Sequence, residues 1–137
     1  MRDGCSPDLG FFLAVLHTLE DLDVQYMVIG AFAGIVHGMT RATYDIDMVV
    51  SLSDQHIDAL AAAYPSPRYY SDPVQMRESV AKGMVFNIID AERGEKADLI
   101  PHTPSSSYRS AFARRVRQPA ETPGGAAFDV CVPVPKM

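Results

Sequence analysis

No stretch of this 137-residue sequence approaches the roughly 20 consecutive apolar residues that a membrane-spanning helix needs. Met1 to Gly10 carries acids and a proline and lacks the basic-then-apolar order of a secretory leader. The expectation is a cytoplasmic protein with no membrane partner. Cysteine is scarce, with Cys5 and Cys131 alone near opposite ends. One disulfide between them is open, but the cysteine framework of a small secreted domain is missing, and free thiols are the simpler reading. Positive charge is also short: 12 Lys and Arg stand against 17 Asp and Glu, a net charge of −5. That balance argues against a general nucleic-acid coat. The basic residues of the last third, Arg109, Arg114, Arg115 and Arg117, form either a solvated face or a local patch for phosphate or RNA. Internal repeats and low-complexity segments are missing as well. His17, His56 and His102 make no metal spacing with either cysteine and read as surface or packing residues. Ser105-Ser106-Ser107 is a polar loop with no base in evidence, which argues against a serine nucleophile there.

What remains is 47% hydrophobic and 21% charged, the balance of an ordinary globular chain with one modest core. Ser6-Pro7-Asp8 is a helix start, and Leu9, Phe12, Leu13, Leu16 and Leu19 then recur at helical spacing. The helix should end near Asp21 to Asp23. Tyr26 to Ile29 reads as a buried strand, Gly30 as its break, and Ala31 to His37 as a short helix closed by Gly38. Asp45 to Ser51 reads as the second strand. Ser53 caps a helix from Asp54 to about Tyr64. Pro65, Pro67 and Pro73 bound a loop. Asp72-Pro73 starts a helix to about Lys82, with Gly83 behind it. Met84 to Asp90 and Lys96 to Ile100 read as strands joined by a hairpin loop over Ala91 to Glu95. Ser107 to Arg114 is a candidate helix, Gln118 to Ala126 a loop, and Phe128 to Val132 a last strand.

The most informative segment is Asp45-Ile46-Asp47. Side chains alternate along a strand, so the two acids share one face and Ile46 takes the other. Paired carboxylates repel, and a divalent cation removes the repulsion. Aspartate oxygens suit a hard ion such as magnesium, which keeps one or two protein carboxylates and takes its other ligands from water and phosphate. Gly30 lets the backbone turn sharply, and the helix expected after it presents free N–H groups to phosphate. A two-metal phosphoryl or nucleotidyl transfer usually needs a third carboxylate on a neighbouring strand. Asp98, in Lys96-Ala97-Asp98-Leu99-Ile100, supplies one between apolar neighbours; the alternative is an Asp98 paired with Arg or Lys. Arg41 neutralises a phosphate, or pairs with Asp45 or Asp98. Thr43 orients the carboxylates or is simply a strand former. His37 touches phosphate, or caps and packs.

Gly30-Ala31-Phe32-Ala33, then His37-Gly38, then Arg41-Ala42-Thr43-Tyr44-Asp45-Ile46-Asp47 resembles the nucleotidyltransferase fold superfamily. The similarity is to its bacterial branch related to abortive-infection nucleotidyltransferase toxins. There a glycine-rich turn precedes an R-x-T-x-D-I-D strand, and a later hairpin strand carries a K-x-D-hydrophobic segment, matched by Lys96 to Leu99. The resemblance covers about residues 8 to 100 and implies one α+β domain, a mixed sheet flanked by helices, with 101–137 as a C-terminal extension. It implies that Asp45, Asp47 and Asp98 are the catalytic, magnesium-holding residues. Gly30, Ala31, Arg41 and Thr43 would bind a nucleoside triphosphate. The implied reaction moves a nucleoside monophosphate onto an acceptor hydroxyl of RNA such as tRNA, a protein or a small molecule. A toxin-like role would bring an antitoxin-like partner. Many members of the superfamily carry serine after the first glycine, whereas Ala31 offers only its backbone N–H. The chain also ends soon after Val132, where relatives continue with helices. These departures keep open a catalytically silent module of the same fold that binds nucleotide or a partner, or forms a homo-oligomer. A phosphohydrolase using the same acids ranks last.

Overall fold

A computed structural model describes residues 10–29, 45–121 and 127–134. It is an α+β fold built on a five-stranded mixed sheet. The elements run α1 (Gly10–Asp21), β1 (Gln25–Ile29), β2 (Asp45–Ser51), α2 (Asp54–Ala63), β3 (Tyr69–Tyr70), α3 (Pro73–Lys82), β4 (Phe86–Asp90), β5 (Glu95–Pro101), α4 (Arg109–Ala113), β6 (Val116–Glu121) and β7 (Ala127–Val132). The main sheet has the order β1-β2-β5-β4-β3, and β6 pairs with β7 in a separate two-stranded sheet. The β2–β5 pairing is parallel; β1–β2, β4–β5 and β3–β4 are antiparallel. Among the described residues no helix is long and apolar enough to cross a membrane.

Alternation along the strands divides the side chains between two faces. Tyr26, Val28, Ile46, Met48, Val50, Phe86, Ile88, Ala97 and Leu99 form the first face and are buried against the helices. From α1 that core takes Phe11, Phe12, Val15, Leu16 and Leu19; from α2 Ile57 and Leu60; from α3 Met76. Met27 and Val49 lie on the second face, where Phe112 of α4 covers them with Ile29, Ile100 and Tyr108 around it.

Local chemistry sets the helix ends. Asp23 takes a left-handed conformation at φ 62° behind α1, a position that aspartate tolerates better than most residues. Ser53 caps α2 by accepting from the His56 N–H, and His56 Nδ1 accepts from the Ser53 N–H in return. His56 is therefore a capping residue. Asp72 accepts from the Val74 N–H with Pro73 in the first turn of α3, and Gly83 closes that helix at φ 69°.

The helix start at Ser6-Pro7-Asp8, the turn at Gly30 and the helix from Ala31 to His37 with Gly38 behind it lie outside the described residues. Elsewhere the structure departs from expectation. Gln118 to Glu121 is strand, not loop: β6 pairs with β7, with Pro119 opposite Asp129. A two-stranded sheet has an outward edge on both strands, and proline's missing N–H is tolerated at such an edge. β3, unforeseen, is a two-residue strand defined only by its pairing to Ile89 and Asp90. The C-terminal arginines are drawn to separate partners. Arg117 pairs with Glu20 of α1 at 3.2 Å, and Arg115 lies over the Phe112 ring at 4.3 Å. Arg109 and Arg114 donate to the carbonyls of Pro104 and Ser110.

The β6–β7 hairpin joins the main core through Ala120, Val130 and Val132, and Phe128 meets Phe12 edge to face at 6.2 Å. Cys131 carries a free, half-buried thiol. Tyr26 donates its hydroxyl to Glu20 at 2.7 Å. Burial, then the Glu20 hydrogen bond, raises its pKa above the ordinary value of 10.0. The folded state thus holds this phenolic proton more tightly than the unfolded chain does. The associated stability is complete below about pH 10 and is lost as pH rises above it. Tyr26→Phe should therefore flatten the alkaline decline in urea-melt stability between about pH 9 and about pH 12. Equal slopes in both proteins would remove Tyr26 as the cause.

Candidate functional site

The strand register assembles the candidate site. Asp47 of β2 lies directly beside Asp98 of β5, with Ile29 of β1 on one side and Asn87 of β4 on the other. In-register neighbours point to the same face, so Ile29, Asp47, Asp98 and Asn87 form one row across the second face of the sheet. Adjacent strands stand about 4.8 Å apart, which brings the two aspartates within reach of a shared cation. The next row holds Asp45, Lys96, Ile89 and Tyr70. On the other side of the aspartate row are Met27, Val49 and Ile100, under Phe112. The second face thus changes from apolar to ionic within two residues along β2.

The same alternation explains why these acids are not in the core. Ile46 and Met48 flank Asp47 and are buried, as Ala97 and Leu99 are around Asp98. Asp47 and Asp98 are half-buried. Lys96 is the described cation in the two rows. Its Nζ stands 3.8 Å from Asp98 Oδ2, too long for a hydrogen bond but close enough for charge attraction. Asp98 thus has a lysine neighbour in addition to its place beside Asp47.

Asp45 begins β2 opposite Lys96, and its backbone position puts it on the face of Asp47. Its side chain lies outside the description, as do Gly30, Ala31, Arg41 and Thr43. His37 is likewise outside. Among the described residues no group of three His, Cys, Asp or Glu side chains is gathered closely enough to hold a metal. The described donor set is therefore Asp47 and Asp98, two carboxylates side by side. This fits a hard ion that uses one or two protein carboxylates.

Asn87 is not singled out in the sequence, and Lys96 enters there only as the first residue of the K-x-D segment. Asn87 sits opposite Asp98 and can offer an amide donor or acceptor there. Lys96 sits between Asp45 and Asp98. The signal for both is parity: Asn87 alternates with buried Phe86 and Ile88, and Lys96 with buried Ala97. His102 stacks on Phe112 at 4.3 Å and His17 is exposed, in keeping with packing and surface roles.

No protein-family model matches the chain, and no curated protein does.

Proposed function

We propose that this chain is a magnesium-dependent nucleotidyltransferase of the cytoplasm. It transfers a nucleoside monophosphate from a nucleoside triphosphate to a hydroxyl of RNA, a protein or a small molecule. The observation that carries the reading is the register of β2 on β5, which sets Asp47 beside Asp98 on the face that Asp45 shares. The order of motifs in the sequence supports it: a glycine turn, R-x-T, D-x-D and a later K-x-D strand.

In this reading Asp45, Asp47 and Asp98 would hold magnesium, which would supply positive charge against the charge developing on the phosphoryl oxygens. Asp98 accepts the proton of the acceptor hydroxyl. The acceptor oxygen forms a bond to the α-phosphorus in line with the bond that breaks, and pyrophosphate leaves with that bond's electron pair. By the resemblance, Gly30, Ala31, Arg41 and Thr43 would bind the triphosphate, Ala31 offering only its backbone N–H. Ala31, in the place where many members of the superfamily carry serine, favours a second reading: a silent module of the same fold that binds nucleotide or a partner protein.

The test is calorimetric titration of the four nucleoside triphosphates with magnesium into wild type and Asp45→Ala/Asp47→Ala. Saturable, magnesium-dependent binding that the double variant loses is the expected result. At 100 times Kd the bound nucleotide should add about 2.7 kcal/mol of stability, visible as a higher melting temperature. A folded wild type that binds none of the four overturns the proposal. Binding without transfer of label from any α-labelled nucleotide selects the silent module.

A further inference from the structure

Lys96 and Asp98 are two positions apart on β5 and share the second face. Lys96 is also in register with Asp45, so it has aspartates along its own strand and across the ladder. On its other side, β4 presents Ile89 and then β3 presents Tyr70, whose hydroxyl donates to Gln75. Among the described residues, the register neighbours on that side, Ile89 and Tyr70, carry no acid to compete for the ammonium. The side chain is 41% exposed and stands 3.8 Å from Asp98, a loose charge contact that leaves it room to move.

We propose that Lys96 exchanges one negative partner for another: it neutralises Asp98 until a divalent cation takes its place, then moves its ammonium to the phosphate tail. This rests on the nucleotidyltransferase reading and adds a tail-binding residue to it. The physical reason is like-charge exclusion. An ammonium and a divalent cation cannot both remain within about 4 Å of one carboxylate without strong repulsion. The displaced ammonium is tethered two residues from Asp98. It therefore lies within the reach of a flexible four-carbon stem of any phosphate drawn to the aspartates. Lysine serves there as a point charge and needs no fixed bidentate geometry.

Exchange has a signature that a structural lysine lacks: two affinities move in opposite directions. Lys96→Met removes the competitor for Asp98, and the worth of an exposed ion pair sets the gain. The variant should bind manganese alone, an oxygen-seeking probe for the magnesium site, about two- to fivefold more tightly. It also removes a charge from the phosphate tail. Inorganic tripolyphosphate in saturating magnesium should bind about tenfold more weakly. Lys96→Arg keeps the charge and should recover most of both shifts.

The experiment is calorimetric titration of the full chain, as wild type, Lys96→Met and Lys96→Arg, with each probe and a thermal melt of each protein. Tighter manganese and weaker tripolyphosphate binding in Lys96→Met, at unchanged melting temperature, is the expected result. Unchanged affinities for both probes overturn the role of Lys96 and leave the enzyme reading standing. Loss of both affinities together with a lower melting temperature overturns it in favour of a structural lysine. A wild type that binds neither probe overturns this inference and the reading beneath it.

Discussion

Asp47→Asn and Asp98→Asn are each expected to lower nucleotidyl transfer by about 10³-fold or more while moving the melting temperature by less than about 5 °C. The two effects separate most clearly at Asp98, whose charge does little for the fold. Asp98 is 25% exposed, and its ion-pair partner Lys96 is 41% exposed and 3.8 Å away. A pair so exposed contributes at most about 1 kcal/mol. Removing one of two adjacent negative charges returns part of that by relieving repulsion. The catalytic loss has no such offset. Each amide keeps the side-chain shape and, in the proposed reaction, withdraws a charge from the place where phosphoryl charge would develop. Label transfer from an α-labelled nucleotide, with circular-dichroism melts of the same preparations, checks both halves. Transfer within tenfold of wild type in either variant would refute the assignment. Collapse of the melt would make that carboxylate a fold determinant instead.

Which parts of this arrangement are legible in the sequence follows from the range of the interactions involved. Ser53 before α2, Asp72-Pro73 before α3 and Gly83 after it are local signals, and the structure places the helix ends where they stand. The bounds of β2, Asp45 to Ser51, agree with the strand read from the sequence, in which two acids alternate with Ile46 and the apolar run Met48 to Val50 follows. The register of β2 on β5 is different, because Asp47 and Asp98 are far apart in sequence. Part of it can still be derived. A one-residue slip would turn Asp98 into the core and Ala97 or Leu99 out of it, so only even shifts keep both strands buried. Asp98 must then lie level with one of the acid positions or two residues beyond them. The structure selects Asp47, and with that choice Lys96 falls beside Asp45.

What was not legible lacks a local cause. Two residues carry no periodicity, so β3 exists only through its pairing with Ile89 and Asp90. The proline and glycine content of 118–126 belongs partly to a strand, because Pro119 occupies a ladder position where its missing N–H is tolerated. The basic run at 109–117 looks like one patch when counted along the chain. In space, Arg117 reaches Glu20 of α1 and Arg115 lies on Phe112, at the second face. An RNA-binding role for these arginines therefore gains nothing from their sequence proximity. Asn87 was passed over because one polar residue in an apolar strand gives no sign of which acid it will face.

The largest expected loss of stability comes from an aspartate outside the proposed site. Asp90 is 1% exposed at the turn joining β4 to β5. Arg68 holds it with two hydrogen bonds, Nε to Oδ1 at 3.2 Å and a terminal nitrogen to Oδ2 at 3.0 Å. Oδ1 also accepts from the Glu92 and Arg93 N–H groups, and Gly94 at φ 67° completes the reversal. Asp90→Ala removes all four bonds and strands the two turn N–H groups. Charge-assisted bonds of this kind contribute about 1.5 to 3 kcal/mol each, but Arg68 is 42% exposed and recovers water when released. A net loss of about 3 kcal/mol follows, a large share of the 5 to 15 kcal/mol typical of a domain. Arg68→Met should cost less, about 1 to 2 kcal/mol, because the carboxylate keeps its backbone donors. Urea denaturation of the two variants and their double variant measures both losses and the coupling between them. A loss below about 1 kcal/mol for Asp90→Ala would mean the turn forms without its carboxylate. The contrast with Asp98 follows from the direction of the side chain. Asp90 turns into the core face of β4, where arginine and backbone donors satisfy it, and its charge holds the hairpin closed. Asp98 turns to the other face of the next strand, where a loosely placed lysine leaves its charge available to a ligand.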